Sequence, residues 1–389
     1  MELSSKSSGS GGLESIQAAN MFDISQLPES FQKFLKTNDI DPAIYTVSDL
    51  PRYVRWNTQI EQDKRPSLED LQRQLGTERV WNVAGRPGFF GFIGAKNRLV
   101  DTEAYKQAAI FGIDLSSAVA VEALEIQCDD HVLDTCCAPG AKLCMIANLL
   151  GDKGTGTVTG VDLAAHRLAT CRSMLKRYSA GGRARLFEAD GTKFAVPPPS
   201  RLGQHILDMN QPPGKKQKMQ PVKPFWAPKL LRSDPQTSQR LYDKVLVDAE
   251  CTHDGSISHI LKYEKWGWDA FEKNFMDPKR LDTICELQRN LMKQGWTMLK
   301  ENGVMVYSTC SLTIQQNEAN VVWFLEHHPD AKIENIPNID NLDIHFASIK
   351  TVNTSSTIQK LIDDHCIRFD PLVSRTSGFF VARFKKIAN

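Results

Sequence analysis

The spacing of apolar and polar positions changes along the chain, and the change falls near residue 100. Before it the apolar runs are short and mixed. Ser30-Phe-Gln-Lys-Phe-Leu35 predicts the start of a helix, Tyr53-Val-Arg-Trp56 a strand, and Ser67-Leu-Glu-Asp70 a capping box that opens a helix through Leu75. Val80 to Val83 and Phe89 to Ile93 predict two more strands around Gly-Arg-Pro-Gly. From Asp101 onward, short apolar runs alternate with longer helical ones, the signature of an open parallel sheet. Val132 and Leu133 close a first buried strand, and Ala141 to Leu150 is a helix stopped by Gly151. Strands follow at Gly156–Val161, Ala184–Ala189, Lys244–Val247 and Gly303–Tyr307, with helices at Arg167–Arg177, Leu281–Leu299 and Gln315–His327. Ala331–Ile336 and Gly378–Arg383 predict a closing pair.

The segments group into a Ser/Gly-rich stretch expected to be disordered over 1–20, a small α+β domain over 21–100, and an α/β domain over 101–389. A Pro- and Lys-rich interruption at about 197–239 carries Lys215, Lys216, Lys218, Lys223 and Lys229, and predicts a mobile, solvated surface insertion. In the small domain Arg52, Arg55 and Arg86 lie among Tyr53, Trp56, Trp81 and Phe89. That mixture suits single-stranded RNA, through phosphate pairing and base stacking, but on this segment alone an ordinary aromatic core is the preferred reading.

Composition narrows the class without naming it. With 389 residues, 41% hydrophobic, 24% charged and a net charge of +1, the chain reads as a soluble globular protein, expected to be a monomer. No apolar run approaches a membrane span, and the N-terminus lacks the core of a secretion signal or the arginines of a transit peptide. An intracellular protein, cytoplasmic or nuclear, is expected. The nine cysteines show no metal-ligand spacing, so reduced thiols and no metal are expected.

The candidate chemistry begins at the loop Asp134-Thr-Cys136-Cys137-Ala138-Pro139-Gly140-Ala141-Lys142. A strand feeding a small-residue turn and a helix N-terminus is a place to hold a nucleotide-like ligand, because the first-turn N–H groups are free. Asp162, Asp190 and Asp248 each close a predicted parallel strand on the edge where such sheets bind ligands. An acid after the second strand can accept from both ribose hydroxyls, and one after the third can meet an adenine amino group. Neither Gly-x-Gly-x-x-Gly nor a P-loop frame is present. S-adenosylmethionine remains, and with it a Rossmann-like S-adenosylmethionine-dependent methyltransferase sheet behind the small N-terminal α+β domain.

Two of the strands end in cysteine turns, Asp248-Ala-Glu250-Cys251-Thr and Ser308-Thr-Cys310-Ser. Paired thiols on the ligand edge suit methylation at carbon 5 of a pyrimidine, which is too weak a nucleophile unaided. A thiolate adding to carbon 6 makes carbon 5 enolate-like and able to take a methyl group.

Taken together the motifs resemble the RNA cytosine-5 methyltransferases of the Sun-domain family, from about residue 50 to 385. The resemblance rests on Pro51-Arg-Tyr-Val-Arg-Trp-Asn57, Asp114-Leu-Ser-Ser117, the Cys-Ala-Pro-Gly-x-Lys loop, the three acids, the Thr-Cys-Ser turn and Arg368…Pro371…Ser377-Gly-Phe-Phe-Val-Ala382. It implies that Cys136 to Lys142 line the cofactor, with Asp162 on ribose and Asp190 near adenine. Asp248 would stand between cofactor and cytosine, Cys310 would be the nucleophile, and Cys251 would assist product release. The target would be an unstacked cytosine in a single strand or loop of RNA. Glu250 departs from the proline usual in the family. It is expected to raise the Cys251 pKa, or else to act as the base for the carbon-5 proton. A second expectation follows from that departure: an RNA-binding assembly factor with a degenerate site. The absence of an added RNA-binding domain or long charged tail tilts the RNA toward tRNA over rRNA.

Overall fold

The computed structural model describes residues 22–47, 49–199, 223–232 and 240–388. The stretch expected to be disordered, 1–20, and Lys215, Lys216 and Lys218 lie outside the described residues.

Four short strands build a small antiparallel sheet: β1 (Arg52–Trp56), β2 (Val80–Asn82), β3 (Phe89–Phe92) and β4 (Ile110–Gly112), in the order β2-β3-β1-β4. β4 comes from beyond residue 100. Three residues are too few to show a period, but Ile110 sits opposite Trp56 and joins Val54, Leu71 and Phe90 in one apolar cluster. The helix Leu68–Leu75 covers that cluster and begins with the expected capping box between Ser67 and Asp70. Arg55 and Arg86 are buried. Arg86 pairs with Glu122 at 2.8 Å, and the Arg55 guanidinium lies 5.5 Å from the Phe111 ring centre. These two arginines serve the core, and only Arg52 of the three stays exposed.

The larger sheet holds β5 (His131–Asp134), β6 (Thr157–Asp162), β7 (Ala184–Glu188), β8 (Tyr242–Asp248), β9 (Leu299–Thr309), β10 (Ala331–Glu334), β11 (Ile367–Phe369) and β12 (Phe379–Lys386). Their order is β10-β12-β9-β8-β5-β6-β7, with β11 beside β12. β5 to β9 run parallel, and β12 enters antiparallel between β9 and β10. Alternate residues serve opposite faces. Val132 packs under the helices Leu115–Glu122, Ala141–Leu150 and Ala165–Arg177, while Leu133 faces Pro278–Met298 and Glu318–His327. The chain runs outward from β5 to β7, then returns to β8 and β9 on the other side. A crevice therefore opens between β5 and β8 at their C-terminal ends, where sheets of this kind bind ligands.

Two segments pack in ways that local pattern did not show. The helix Glu29–Thr37 leaves the small sheet alone. Its Phe31 and Leu35 join Ile257, Ile260, Tyr263 and Phe271, which follow β8. The described part of the insertion is anchored as well: Trp226 exchanges backbone hydrogen bonds with Leu186 on β7, at 2.7 and 3.3 Å. A backbone pair and an indole laid over Gly181 hold this stretch to the sheet edge, against the mobile loop expected for the whole of 197–239.

Candidate active site

β5 ends in a buried acid. Asp134 accepts from the Cys136 N–H at 3.3 Å with one carboxylate oxygen, and its other oxygen has no hydrogen-bond partner. Burial, with the charge of Asp248 adding, pushes the Asp134 carboxyl up to about 8. The loop beyond it is shaped by Gly140 at φ +113°, where a side chain would stand 3.1 Å from the Cys171 Cα. Glycine is needed there for both reasons. Cys137 and Ala138 are buried packing residues. Burial raises the Cys136 thiol, and the contact with Cys171, then burial, raises that of Cys137, which disfavours a thiolate at either.

Lys142, on the first turn of the following helix, reaches across the crevice to Asp248 at 2.8 Å. Burial alone would lower its pKa, but the Asp248 carboxylate outweighs that and raises it. Ser308 also donates to Asp248, at 2.8 Å, and Lys142 lies 5.0 Å from the Phe379 ring centre. Asp114 stands close by: burial raises its carboxyl, while hydrogen bonds from Ser116 and Ser377 and the charge of Lys142 pull it back. The Asp114-Leu-Ser-Ser117 and Ser377-Gly-Phe-Phe motifs therefore meet at this lysine. Asp162 is buried at the end of β6, accepts from the Ala164 N–H at 3.0 Å and faces Arg167 at 3.5 Å. Asp190 is more exposed. Its carboxylate caps the turn Gly191–Lys193 through Thr192, whose hydrogen bonds hold the pKa below the usual value.

The two cysteine turns stand side by side because β8 and β9 are in register, with Asp248 opposite Ser308. Cys251 and Cys310 lie 3.3 Å apart, sulfur to sulfur. His253, which the sequence reading passed over, puts Nδ1 3.0 Å from the Cys310 sulfur and 3.9 Å from that of Cys251. Its only signal in the sequence was position, two residues beyond a cysteine in the same polar turn. Burial resists ionisation of Cys251, but the hydrogen bond from Cys310 and the charge of His253 outweigh it and set this thiol well below its ordinary range. Cys310 moves the other way, raised by the hydrogen bond it gives Cys251 and by burial. Two thiols this close titrate as a pair rather than one by one.

Glu250 does not push Cys251 up as expected. Its carboxylate is turned to Arg280, at 3.2 and 3.3 Å, on the rim of the site. Arg280 also donates to the Cys251 carbonyl at 2.6 Å, and Gln288 to the Glu250 carbonyl at 2.8 Å, so the long helix Pro278–Met298 fixes this turn. Arg280 and Gln288 carried no sequence signal, since each acts from a helix far from the motif.

The crevice suits a cation that carries a nucleoside. An orphaned buried carboxylate oxygen on Asp134 and the carboxylate of Asp248 would meet positive charge, and Asp162 offers an acceptor to hydroxyls. Cys251, His253 and Cys310 bring one sulfur or nitrogen atom each to within 4.8 Å of one another.

A doubly wound sheet with a crevice at the β5–β8 switch and paired thiols beside it gives the chain the Rossmann-like fold of methyltransferases. The chain belongs to the family described as 16S rRNA methyltransferase RsmB/F, whose model matches residues 121–208 and 228–385. It is 24% identical over 376 residues to ribosomal RNA small subunit methyltransferase F of Vibrio atlanticus, covering 93% of this chain and 64% of that one. It is 26% identical over 279 residues to a mouse 28S rRNA (cytosine-C(5))-methyltransferase, covering 70% of this chain and 28% of that one. The chain thus spans less than two thirds of the length of these curated relatives. Among solved structures, NSun6 from Pyrococcus horikoshii with SFG shares the fold at a TM-score of 0.62, with 17% identity over 93% of this chain and 99% of that one. No helix among the described residues is long and apolar enough to cross a membrane.

Proposed function

We propose that the protein methylates carbon 5 of cytosine in RNA through a covalent adduct on Cys310. The observation that carries this reading is the pair of thiols 3.3 Å apart, one buried and one half-buried, beside the Lys142–Asp248 pair on the ligand edge of the sheet. Neither a small-molecule methyltransferase nor a plain RNA-binding protein needs that pair. The family and the names of its relatives support an RNA target.

S-adenosylmethionine, when bound, supplies the methyl group. Asp162 would take its ribose hydroxyls, Asp190 would stand near the adenine, and Asp134 would face its positive charge. Residues 136–142 would shape the wall of the site, with Gly140 letting the backbone approach. Lys142 holds Asp248, and Asp248 would accept from the amino group of an unstacked cytosine. Cys310 adds to carbon 6, which makes carbon 5 nucleophilic. After methyl transfer a base removes the carbon-5 proton, and Cys251 assists expulsion of the Cys310 sulfur. Glu250, held by Arg280, acts in this reading as the anchor of the Cys251 turn rather than as that base.

The test is a pair of substitutions. Cys310→Ala should abolish transfer of labelled methyl groups to RNA from cells lacking the gene, while Cys251→Ala should leave RNA covalently bound through Cys310. Activity surviving in Cys310→Ala would end the covalent reading. Loss of 5-methylcytosine at one position in bisulfite-sequenced RNA would name the substrate, and the tRNA and rRNA fractions are the two arms. If no enzyme-dependent 5-methylcytosine forms in either arm, the RNA-binding assembly factor becomes the better reading.

A further inference from the structure

We infer that His253 is the proton acceptor of the reactive thiol: it takes the Cys310 proton, so that the sulfur attacks as a thiolate with an imidazolium beside it. The inference rests on the cytosine-methylation reading for its purpose, but its test reads the thiol alone.

The geometry is that of an activated nucleophile. Nδ1 at 3.0 Å is closer to the Cys310 sulfur than the Cys251 sulfur is, at 3.3 Å. Of these three groups only an imidazole ordinarily titrates near neutrality, at about 6.5 against about 8.5 for a thiol, so it can both accept the proton and return it. His253 is also held where it stands. Its φ is +58°, a left-handed conformation that few side chains adopt. The surrounding turn over-determines that conformation. Gly255 donates to the Cys310 carbonyl at 2.9 Å, Gly378 donates to the Gly255 carbonyl at 2.8 Å, and Tyr45 donates to the Asp254 carbonyl at 2.7 Å. Asp254 accepts from the Leu312 N–H at 2.6 Å and from Thr252. The ring itself is met edge-on by Phe275, with centroids 5.4 Å apart.

In the attack the S–H bond of Cys310 breaks, its proton passes to Nδ1, and the sulfur electron pair forms the bond to carbon 6. The C5=C6 pair moves onto carbon 5, which then takes the methyl group. On release the carbon-5 proton leaves to a base, its C–H pair re-forms the C5=C6 bond, the carbon–sulfur bond breaks with its electrons returning to sulfur, and the proton returns from Nδ1. Burial lowers the His253 pKa, but the charge and hydrogen bond of Cys251 outweigh it and raise it, which agrees with an imidazole that holds a proton beside the thiols.

The charged and titratable groups facing His253 are few. Cys251, Glu250 and Asp254 come from its own segment and Cys310 from the β9 turn. Arg280 comes from the helix Pro278–Met298, and His259 stands 6.0 Å away, ring to ring. Lys142 and Asp248 reach Cys310 from the cofactor side. Arg280 and His259 oppose a cation at His253; Cys251 and Glu250 favour one.

The experiment is alkylation of the full chain by iodoacetamide between pH 5 and 10, with Cys310 read by peptide mass spectrometry. In the unsubstituted chain the rate at Cys310 should rise with pH through a single midpoint, set by His253 beside the thiol pair. In His253→Asn, which tolerates the left-handed backbone, and in His253→Gln, the midpoint should move up by a unit or more. The rate at pH 7 should then fall about tenfold. A Cys310 profile unchanged in both variants would overturn the inference. Binding of S-adenosylhomocysteine, measured on the same samples, shows that each variant is folded, and the variant that binds decides. If the alkylation profile shifts but no RNA is methylated by the unsubstituted chain, His253 keeps its role and the functional reading fails.

Discussion

At the scale of single residues the site is a set of charges tuned by one another. Asp134 is the clearest case, a buried acid raised to about 8 with one oxygen unpartnered. A cationic methyl donor favours its carboxylate form. Affinity for S-adenosylmethionine should therefore rise as pH increases, by up to about tenfold per unit below 8, and level off above. Calorimetric titration from pH 6 to 9 should show that slope, and Asp134→Asn should remove it. A slope shared by both proteins would take Asp134 out of the cofactor site. The same shift works the other way on folding. Between 3.8 and about 8 the folded chain holds a proton on Asp134 that the unfolded chain has released, so its contribution to stability falls as pH rises through that window. The chemistry at this scale was partly legible. Cys251, Cys310, Lys142 and the strand-end acids could be read because each lies in a turn whose strand the pattern predicts. His253 escaped because its role depends on where the neighbouring turn falls. The direction of Glu250 escaped because Arg280 is thirty residues away on another element.

At the scale of elements, the turn after β9 is held by a buried ion pair. Arg368 on β11 donates to Glu318 at 2.6 to 3.0 Å through two nitrogens, and a third donates to the Leu312 carbonyl at 2.9 Å, two residues past Cys310. Both side chains are out of solvent, at 3% and 0% exposure. Removing one partner strands the other charge, so Glu318→Gln should cost about 3–5 kcal/mol in urea denaturation. The double change Glu318→Leu with Arg368→Met should recover much of that loss, and equal losses in the single and double variants would show that the pair is not the source. Arg368 stood out in the sequence only as part of a motif. Its partner did not, since a glutamate in the first turn of a helix ordinarily faces water. β4 and β11, with three residues each, were likewise too short to carry a period, whereas the parallel strands announced themselves by runs buried on both faces.

At the scale of the whole molecule, the two ends of the described chain brace its centre. Phe31 is fully buried, 4.8 Å from Phe271 ring to ring, and belongs to the cluster that supports the turn after β8. Phe31→Ala should cost about 3–5 kcal/mol. It should also slow methyl transfer more than it weakens cofactor binding, because Asp134, Asp162 and Lys142 lie outside that cluster. Equal losses in both would mean that the helix supports the molecule in general. The other brace is β12, which lies between β9 and β10 and brings Gly378 against Gly255 beneath the thiols. This placement sets an order of events during synthesis. Until residues up to 386 have been made, β9 keeps an open edge and the turn at Gly255 lacks its contact with Gly378. A premature stop even slightly upstream of β12 would leave most of the residues in place and none of the activity. Its product would offer that bare edge to other chains, a fate to be read as aggregation rather than as partial function.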